Sequence, residues 1–498
     1  MTHAALPTTL SPKKKALRPP TPKPHRTKIV CTLGPATSTI DVVRSMIEAG
    51  ADVFRINLSH GAYDTHAESI ALVRKAAREL NHNASILLDL QGVKFRTTVC
   101  KDGPFEIAAG DEIRITGGEE PSHAGLIHIA PAAALAKLRS GDRVLIDDGK
   151  ICLRAAGKSN GHWLCEVIAG GIVKDRKGIN LPDTPTRDLP ALTDKDIADI
   201  EWGVKQGVDL FALSFVRSAN DVTSAKRAIA GLGADTPVIA KLEKPEVLTE
   251  LDAILAESFG VMVARGDLGV EAPPEKVPVM QKKIIAEARK HMKPVITATQ
   301  MLESMIERPV PTRAEASDVA NAVFDGTDAV MLSGETSVGK YPVETVRMMA
   351  RIIAEAETEI LRQRKPRALS TKKVTFATAV GGAAAFAAES VRAKCIICYT
   401  HSGYSAALIS GYRPSVPVYA FGANETILRR LGLMWGVETK RLVRIPSTVE
   451  EFIEWSEKAL LAEKLVEPND AVVIVSGMPF HKAGNTNFLK MHRIEERG

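Results

Sequence analysis

PVIAKLEK (237–244), FGVMVARGD (259–267) and KPVITATQ (293–300) follow one another along the chain, and each apolar run ends in reactive residues. The first ends on Lys241 and Glu243, the second on Arg265 and Asp267, the third on Thr299 and Gln300. A strand buried on both faces in a parallel sheet reads as a continuous apolar run. Charges gathered at the carboxyl tips of successive strands are how a barrel enzyme builds its site. One ammonium, two carboxylates and a hydroxyl are thus placed to meet a small anionic substrate and a divalent metal.

Working outward, five further runs share this form: TKIVCTLG, ADVFRINLS, ASILLDLQG, VDLFALSFV and DAVMLSGE. Together they make eight strand–helix units, which predict an α/β fold built on a (β/α)₈ TIM barrel. Thr312 and Glu315 form a capping box ahead of a helix through Phe324. Asp64 is expected to cap the helix through Leu80. More than a hundred residues separate the third and fourth runs. There FEIAAGDEIRITGG and RSGDRVLIDDGKICLRAAG alternate around glycine-containing turns, as hairpins do. The expected organisation is a basic, proline-rich tail over 1–25 and a barrel over 26–93 and 191–358. A small β-barrel domain over 94–190 is inserted as a lid, and an open-sheet α/β unit covers 359–498. The strands of that last unit are read as AKCIICYT, VPVYAFGA, KRLVRIP and AVVIVSG, after a linker ILRQRKPRALS.

The chain of 498 residues has a net charge of +6, but residues 1–28 carry seven basic side chains and no acid. The remainder is therefore −1, and the pI is no argument for nucleic acid. Six prolines in the tail prevent a regular helix. No apolar run reaches the roughly 18 residues of a membrane span. Six cysteines show no secreted framework, and Cys395 and Cys398 read as two thiols in a strand. A reducing cytoplasm fits.

Glu243 and Asp267, on neighbouring strand tips, make a hard-oxygen site for Mg²⁺ or Mn²⁺, the alternative being salt bridges to Lys241 or Arg265. Lys241 lies two residues before Glu243 and so shares its face. There it can stabilise a transferring phosphoryl group or an enolate oxygen, unless it is a solvated rim lysine. Gly266 allows close backbone approach, and a helix starting there would offer N–H groups to a carboxylate. Thr299 can hold substrate or relay a proton. Arg55, Asn57 and Ser59 alternate along RINLS, an arginine fork for phosphate with two neutral oxygens suited to a monovalent cation. GETSVGK (334–340) has Walker A spacing, but Tyr341 stands where Ser or Thr would bind Mg²⁺. In the C-terminal unit Thr400, His401, Ser402, Gly403, Tyr404 and Ser405 lead from a strand into a helix and can cradle a phosphate. GMPFHKAGNTN (477–487) is expected to be its other wall.

These residues also carry a resemblance. TKIVCTLGPAT, FRINLSHG, MVARGDLGVE and the long segment from TATQMLESMIERPVPTRAEASDVANAVFDGTDAVMLSGET are similar to the pyruvate kinase family from about residue 26 to the C-terminus. The resemblance implies phosphoryl transfer from phosphoenolpyruvate to ADP, giving pyruvate and ATP. It implies that Lys241 faces the phosphoryl group, Arg55 binds it, and Glu243 and Asp267 hold Mg²⁺. Gly266, Asp267 and Thr299 would bind the substrate carboxylate. Asn57, Leu58, Ser59, His60, Arg96 and Lys177 match nucleotide-contacting positions, and Asn57, Ser59, Asp89 and Leu90 match a K⁺ pocket. A phosphorylated allosteric effector at 400–405 and a homotetramer are further implications.

One departure is informative. Many members read D-T-K-G-P-E-I-R-T where this chain has Asp89, Leu90, Gln91, Gly92, Val93, Lys94, Phe95, Arg96 and Thr97. Lys94 replaces the glutamate of members that need K⁺, and its ammonium would repel a neighbouring cation by several kcal/mol, as an order of magnitude. K⁺ is therefore expected not to be required. The competing readings are a Mg²⁺-dependent aldolase or lyase on the same barrel, and an inactive metabolite sensor.

Overall fold

The computed structural model describes residues 25–185, 189–363, 375–480, 482 and 484–495. The linker stretch 364–370, most of the basic tail, and two positions of the 477–487 loop lie outside these residues.

Eight parallel strands close into a barrel: β1 (Lys28–Thr32), β2 (Val53–Asn57), β3 (Ser85–Asp89), β4 (Leu210–Leu213), β5 (Val238–Leu242), β6 (Gly260–Ala264), β7 (Val295–Ala298) and β8 (Ala329–Leu332). Period-two alternation decides what lies inside, because successive side chains of a strand point to opposite faces. Val30, Val53, Leu87, Ala212, Ile239 and Met262 fill the interior, while Ile29, Cys31, Phe54 and Ile86 pack outward under the helices. Two residues on from each interior Val30, Val53, Leu87, Ala212 and Ile239 stand Thr32, Arg55, Asp89, Ser214 and Lys241. The same parity that builds the core thus lifts five polar side chains into the barrel mouth.

Thr312 caps the helix Arg313–Asp325 with the reciprocal Glu315 bond, as the sequence predicts. Asp64 does not cap: the helix Tyr63–Glu79 begins after Ala62, and Asp64 is an acid in its first turn, where it favours the helix dipole.

The inserted segment forms a second closed barrel, of seven strands. Arg143–Ile146 and Ile151–Ser159 make the expected hairpin. FEIAAGDEIRITGG does not. Phe105–Ile107 pairs with Gly171–Val173 in a separate ribbon, and Glu112–Gly117 pairs with His162–Ala169 and, in parallel, with Leu126–Ala130. Local alternation cannot distinguish a hairpin from two strands that find distant partners.

The C-terminal sheet contains β9 (Cys395–Tyr399), β10 (Val418–Gly422), β11 (Val437–Arg441), β12 (Ala471–Gly477) and β13 (Thr486–Arg493), in the order β11-β10-β9-β12-β13. The third strand lies earlier than KRLVRIP, and the antiparallel edge strand β13 has no counterpart in the sequence reading. Alternate residues feed two cores, Ile396 and Cys398 on one side and Cys395 and Ile397 on the other, so helices cover both faces. Cys395 and Cys398 are buried free thiols, and burial pushes Cys395 up to about 12. The unit sits on the barrel floor, where Leu433 completes the interior cluster of the barrel. Ion pairs fasten the joint: Lys28, paired within the barrel with Asp52 at 3.5 Å, reaches Glu438 at 3.3 Å, and Arg429 meets Asp209 at 2.8 Å. No helix among the described residues is long and apolar enough to cross a membrane.

Candidate active site

The mouth of the barrel holds one bonded cluster. Asp89, at the tip of β3 and 1% exposed, takes Arg55 Nε on one oxygen at 2.7 Å and faces Lys241 Nζ with the other at 3.2 Å. Lys241 Nζ also lies 2.9 Å from Glu243 Oε1 and donates to Ser214 Oγ at 2.6 Å. Ser214 donates in turn to the carbonyl of Leu90 at 2.8 Å. Arg55 reaches Thr32 Oγ1 at 3.1 Å. Five strands therefore contribute to a single network, which a polar cluster buried this deeply requires if none of its groups is to be left unpaired.

Burial works against the Lys241 ammonium, but Asp89 and Glu243 outweigh it and hold its pKa above that of a free lysine. Burial also opposes the charge on Asp89, yet Lys241 and Arg55 keep its carboxyl below the usual range. Glu243 goes the other way: burial, with Asp267 adding repulsion, pushes it up to about 7 against the pull of Lys241. The Phe215 N–H donates to its second oxygen at 2.5 Å. Two carboxylates facing one another at neighbouring strand tips are a donor set that fits a small hard cation.

Strand β6 ends at Ala264, and Arg265–Glu271 is already a helix, shorter strand and earlier helix than the apolar run implies. Gly266 and Asp267 stand in its first turn, and the Gly266 N–H donates to Thr299 Oγ1 at 2.8 Å. Thr299 has φ of 71° and Gln300 of 54°. Positive φ is costly for a β-branched residue and survives only where the surroundings enforce it. Arg265 does so, donating to the carbonyls of Ala298 and Thr299 at 3.2 and 2.7 Å while paired with Asp318 at 2.7 Å. Of the salt bridges weighed as the alternative for these acids, the one present is Glu243 with Lys241; Arg265 pairs with Asp318 instead and braces the Thr299 turn.

Asn57 shares the interior face of β2 with Arg55, but Ser59 lies past the strand end. Its N–H donates to Asn57 Oδ1 at 3.1 Å, so the alternation stops short of it. The turn is held from outside by Lys195, donating to the Leu58 carbonyl at 3.1 Å, and by His66, donating to that of His60 at 2.8 Å. Arg96 and Lys177 are on the inserted segment; Lys177 pairs with Asp147 at 3.1 Å, beside Asp148, which lines a cleft with Gly266 and Asp267. Lys94 stands where the chain enters the inserted barrel, lining a cavity with Ser214, Phe215, Lys244 and Glu271, and among the described residues has no ion-pair partner.

Ser214, Phe215, Thr32 and Lys195 were missed as functional positions. Ser214 could have been found, since it continues the interior parity of the fourth run. The Phe215 N–H and the Lys195 contact have no local signal.

Thr400–Ser405 runs from β9 to the helix Tyr404–Gly411, with Gly403 at φ 86° as its N-cap. Ser405 Oγ meets Thr486 Oγ1 at 2.7 Å, which brings the 477–487 loop against it. GETSVGK follows β8, and its Gly334–Ser337 is a single short helical turn, not a P-loop.

Residues 24–346 match the family model of the pyruvate kinase barrel domain, and 378–492 that of the pyruvate kinase alpha/beta domain. A pyruvate kinase of Agrobacterium vitis is 44% identical over 474 residues, spanning 94% of this chain and 98% of that one. One of Mycobacterium tuberculosis is 45% identical over 473 residues, spanning 95% and 99%. A crystal structure of a pyruvate kinase from Cryptosporidium parvum superposes with a TM-score of 0.87 at 35% identity, over 95% of this chain and 96% of that chain.

Proposed function

The chain belongs to the pyruvate kinase family, phosphotransferases that make pyruvate and ATP from phosphoenolpyruvate and ADP, and we propose that it does so with the cluster centred on Lys241. The observation that carries this reading is the convergence of Arg55, Asp89, Lys241 and Glu243 in one bonded group at the barrel mouth. Phosphoryl transfer needs little covalent chemistry from a protein and is driven by positioning and charge neutralisation.

Arg55 binds the phosphoryl oxygens, and Lys241 neutralises the group as it moves. Asp89 aims both cations, because its two oxygens are spent on them. Gly266 and Thr299 orient the substrate carboxylate, and Thr299 stands near the face where the enolate takes its proton. Glu243 and Asp267 would hold Mg²⁺ or Mn²⁺, which when bound supplies charge to the phosphoryl and enolate oxygens. Asn57, Leu58, Ser59 and His60, with Arg96 and Lys177 on the lid, contact the nucleotide as the lid closes.

K⁺ is not required in this reading. Asp89 already faces two cations, Ser214 occupies the Leu90 carbonyl, and Lys94 brings a third positive charge to the hinge. A phosphorylated effector at 400–405, a homotetramer and a cytoplasmic setting complete the proposal. A coupled assay for pyruvate made from phosphoenolpyruvate and ADP, run with and without K⁺, tests it. Absence of pyruvate formation in the presence of Mg²⁺ would favour the aldolase or sensor alternatives.

A further inference from the structure

A cavity of about 540 Å³ lies between the barrel floor and the C-terminal unit. On the barrel side it is lined by Pro237, Phe259 and Pro294. Each of these stands immediately before a strand: β5, β6 and β7 respectively. Those three strands lead, at their other ends, to Lys241 and Glu243, to Gly266 and Asp267, and to Thr299. Opposite stand Ala407 and Leu408 of the helix Tyr404–Gly411, with Ile427, Leu431 and Met434.

The chemistry of the walls is one-sided. The floor is aliphatic and aromatic, the rim carries Lys290, His291, Lys293 and Arg430, of which Lys290 pairs with Glu287 at 2.8 Å and His291 with Asp252 at 3.1 Å, and no carboxylate is among the described lining residues. Arg430 pairs with Asp235 at 2.7 Å through a terminal nitrogen, while its buried Nε has no partner among the described residues. Lys293 is anchored by donating to the Ser258 carbonyl at 2.7 Å. Burial and the charge of Lys226 lower its pKa against the pull of Glu257. The volume falls within the roughly 300–1,000 Å³ of small-molecule sites.

We infer that this cavity is a second ligand site, for a compact organic anion with an apolar body and one acidic head, and that its occupancy is felt at the active site through β5, β6 and β7. It goes beyond the proposed effector cradle. In the cradle Ser405 faces Thr486, whereas here Ser402, Gly403 and Tyr404 present the other side of the same loop to the barrel. A ligand that presses on the starts of three rigid strands shifts their ends by displacing a packed element, which is how small movements are transmitted.

The test uses the full-length protein and 8-anilinonaphthalene-1-sulfonate as probe, followed by its fluorescence. The probe is expected to saturate at one molecule per chain and to change the KM for phosphoenolpyruvate by at least about twofold. Ala407→Trp, which fills the cavity, and Arg430→Gln, which removes the head-group partner without changing volume much, should each weaken binding about tenfold. Both should remove the effect on KM, with basal turnover and melting temperature near wild type. Ser405→Ala, in the cradle, should leave probe binding unchanged. Binding undiminished in Arg430→Gln, no binding to the wild type, or loss of binding in Ser405→Ala instead would each overturn the inference. An unchanged KM at saturation would overturn its coupling to the active site. Ser405→Ala separates this site from the effector proposed at 400–405, with which it shares Ser402, Gly403 and Tyr404.

Discussion

The ammonium of Lys241 stands 2.9 Å from a carboxylate oxygen of Glu243, two residues further along the same strand path. Its other carboxylate neighbour, Asp89, is 3.2 Å away on β3. One cation therefore ties the proposed metal ligand to the residue that aims Arg55, and the substitutions that separate these roles are specific.

Lys241→Met removes the charge that neutralises the transferring group while keeping the length of the side chain. Turnover in the coupled assay should fall by about 10³-fold. Binding of a phosphorylated effector to the C-terminal unit should persist. Near-normal turnover in a folded variant would remove Lys241 from the mechanism.

Lys94→Glu should convert the enzyme into one that depends on K⁺. The wild type is expected to work in buffer free of K⁺ and NH₄⁺, and the variant to lose about tenfold of its activity there and regain it with KCl. Tenfold activation of the wild type by KCl would refute the role of Lys94.

Asp89→Asn keeps shape but withdraws the charge shared by Arg55 and Lys241. Because the pairs are buried, the loss should be about 3–5 kcal/mol of stability in urea denaturation. The variant should also lose turnover, since both cations are then free to reorient. A midpoint equal to wild type would show that Asp89 does not hold the cluster.

Lys28, at the joint between barrel and C-terminal unit, gives a pH dependence. Burial opposes its charge, but Asp52 and Glu438 prevail and raise its pKa above 10.5. A group whose pKa is raised by folding stabilises the protein fully below its unfolded value and loses that contribution as pH rises through the folded one. The melting temperature should therefore hold from neutral pH to about 10.5 and fall beyond it. Lys28→Gln should start lower and lack that alkaline component. Parallel curves for the two proteins would argue against it.

Much of this was legible because burial leaves a pattern. A strand enclosed on both faces must be apolar throughout, so eight such runs announced the barrel, and parity along PVIAKLE put Lys241 and Glu243 on one face. The same logic failed where pairing is non-local. Phe105–Ile107 pairs with Gly171–Val173, a partner that no turn beside it encodes. β11 was displaced because Glu438, Thr439 and Lys440 are polar residues of an edge strand, which has no need to be apolar.

What the sequence determined by itself, then, is which residues belong to the barrel interior and which chemistry stands at its tips, since periodicity and composition act within one strand. The tertiary structure decided which tips meet. Asp89 and Lys241 are 152 positions apart in the chain, and only closure of the barrel brings their side chains to 3.2 Å. The left-handed turn at Thr299, the brace from Arg265 and the cavity beneath β5, β6 and β7 arise likewise from packing between distant segments, which no local signal in either segment records.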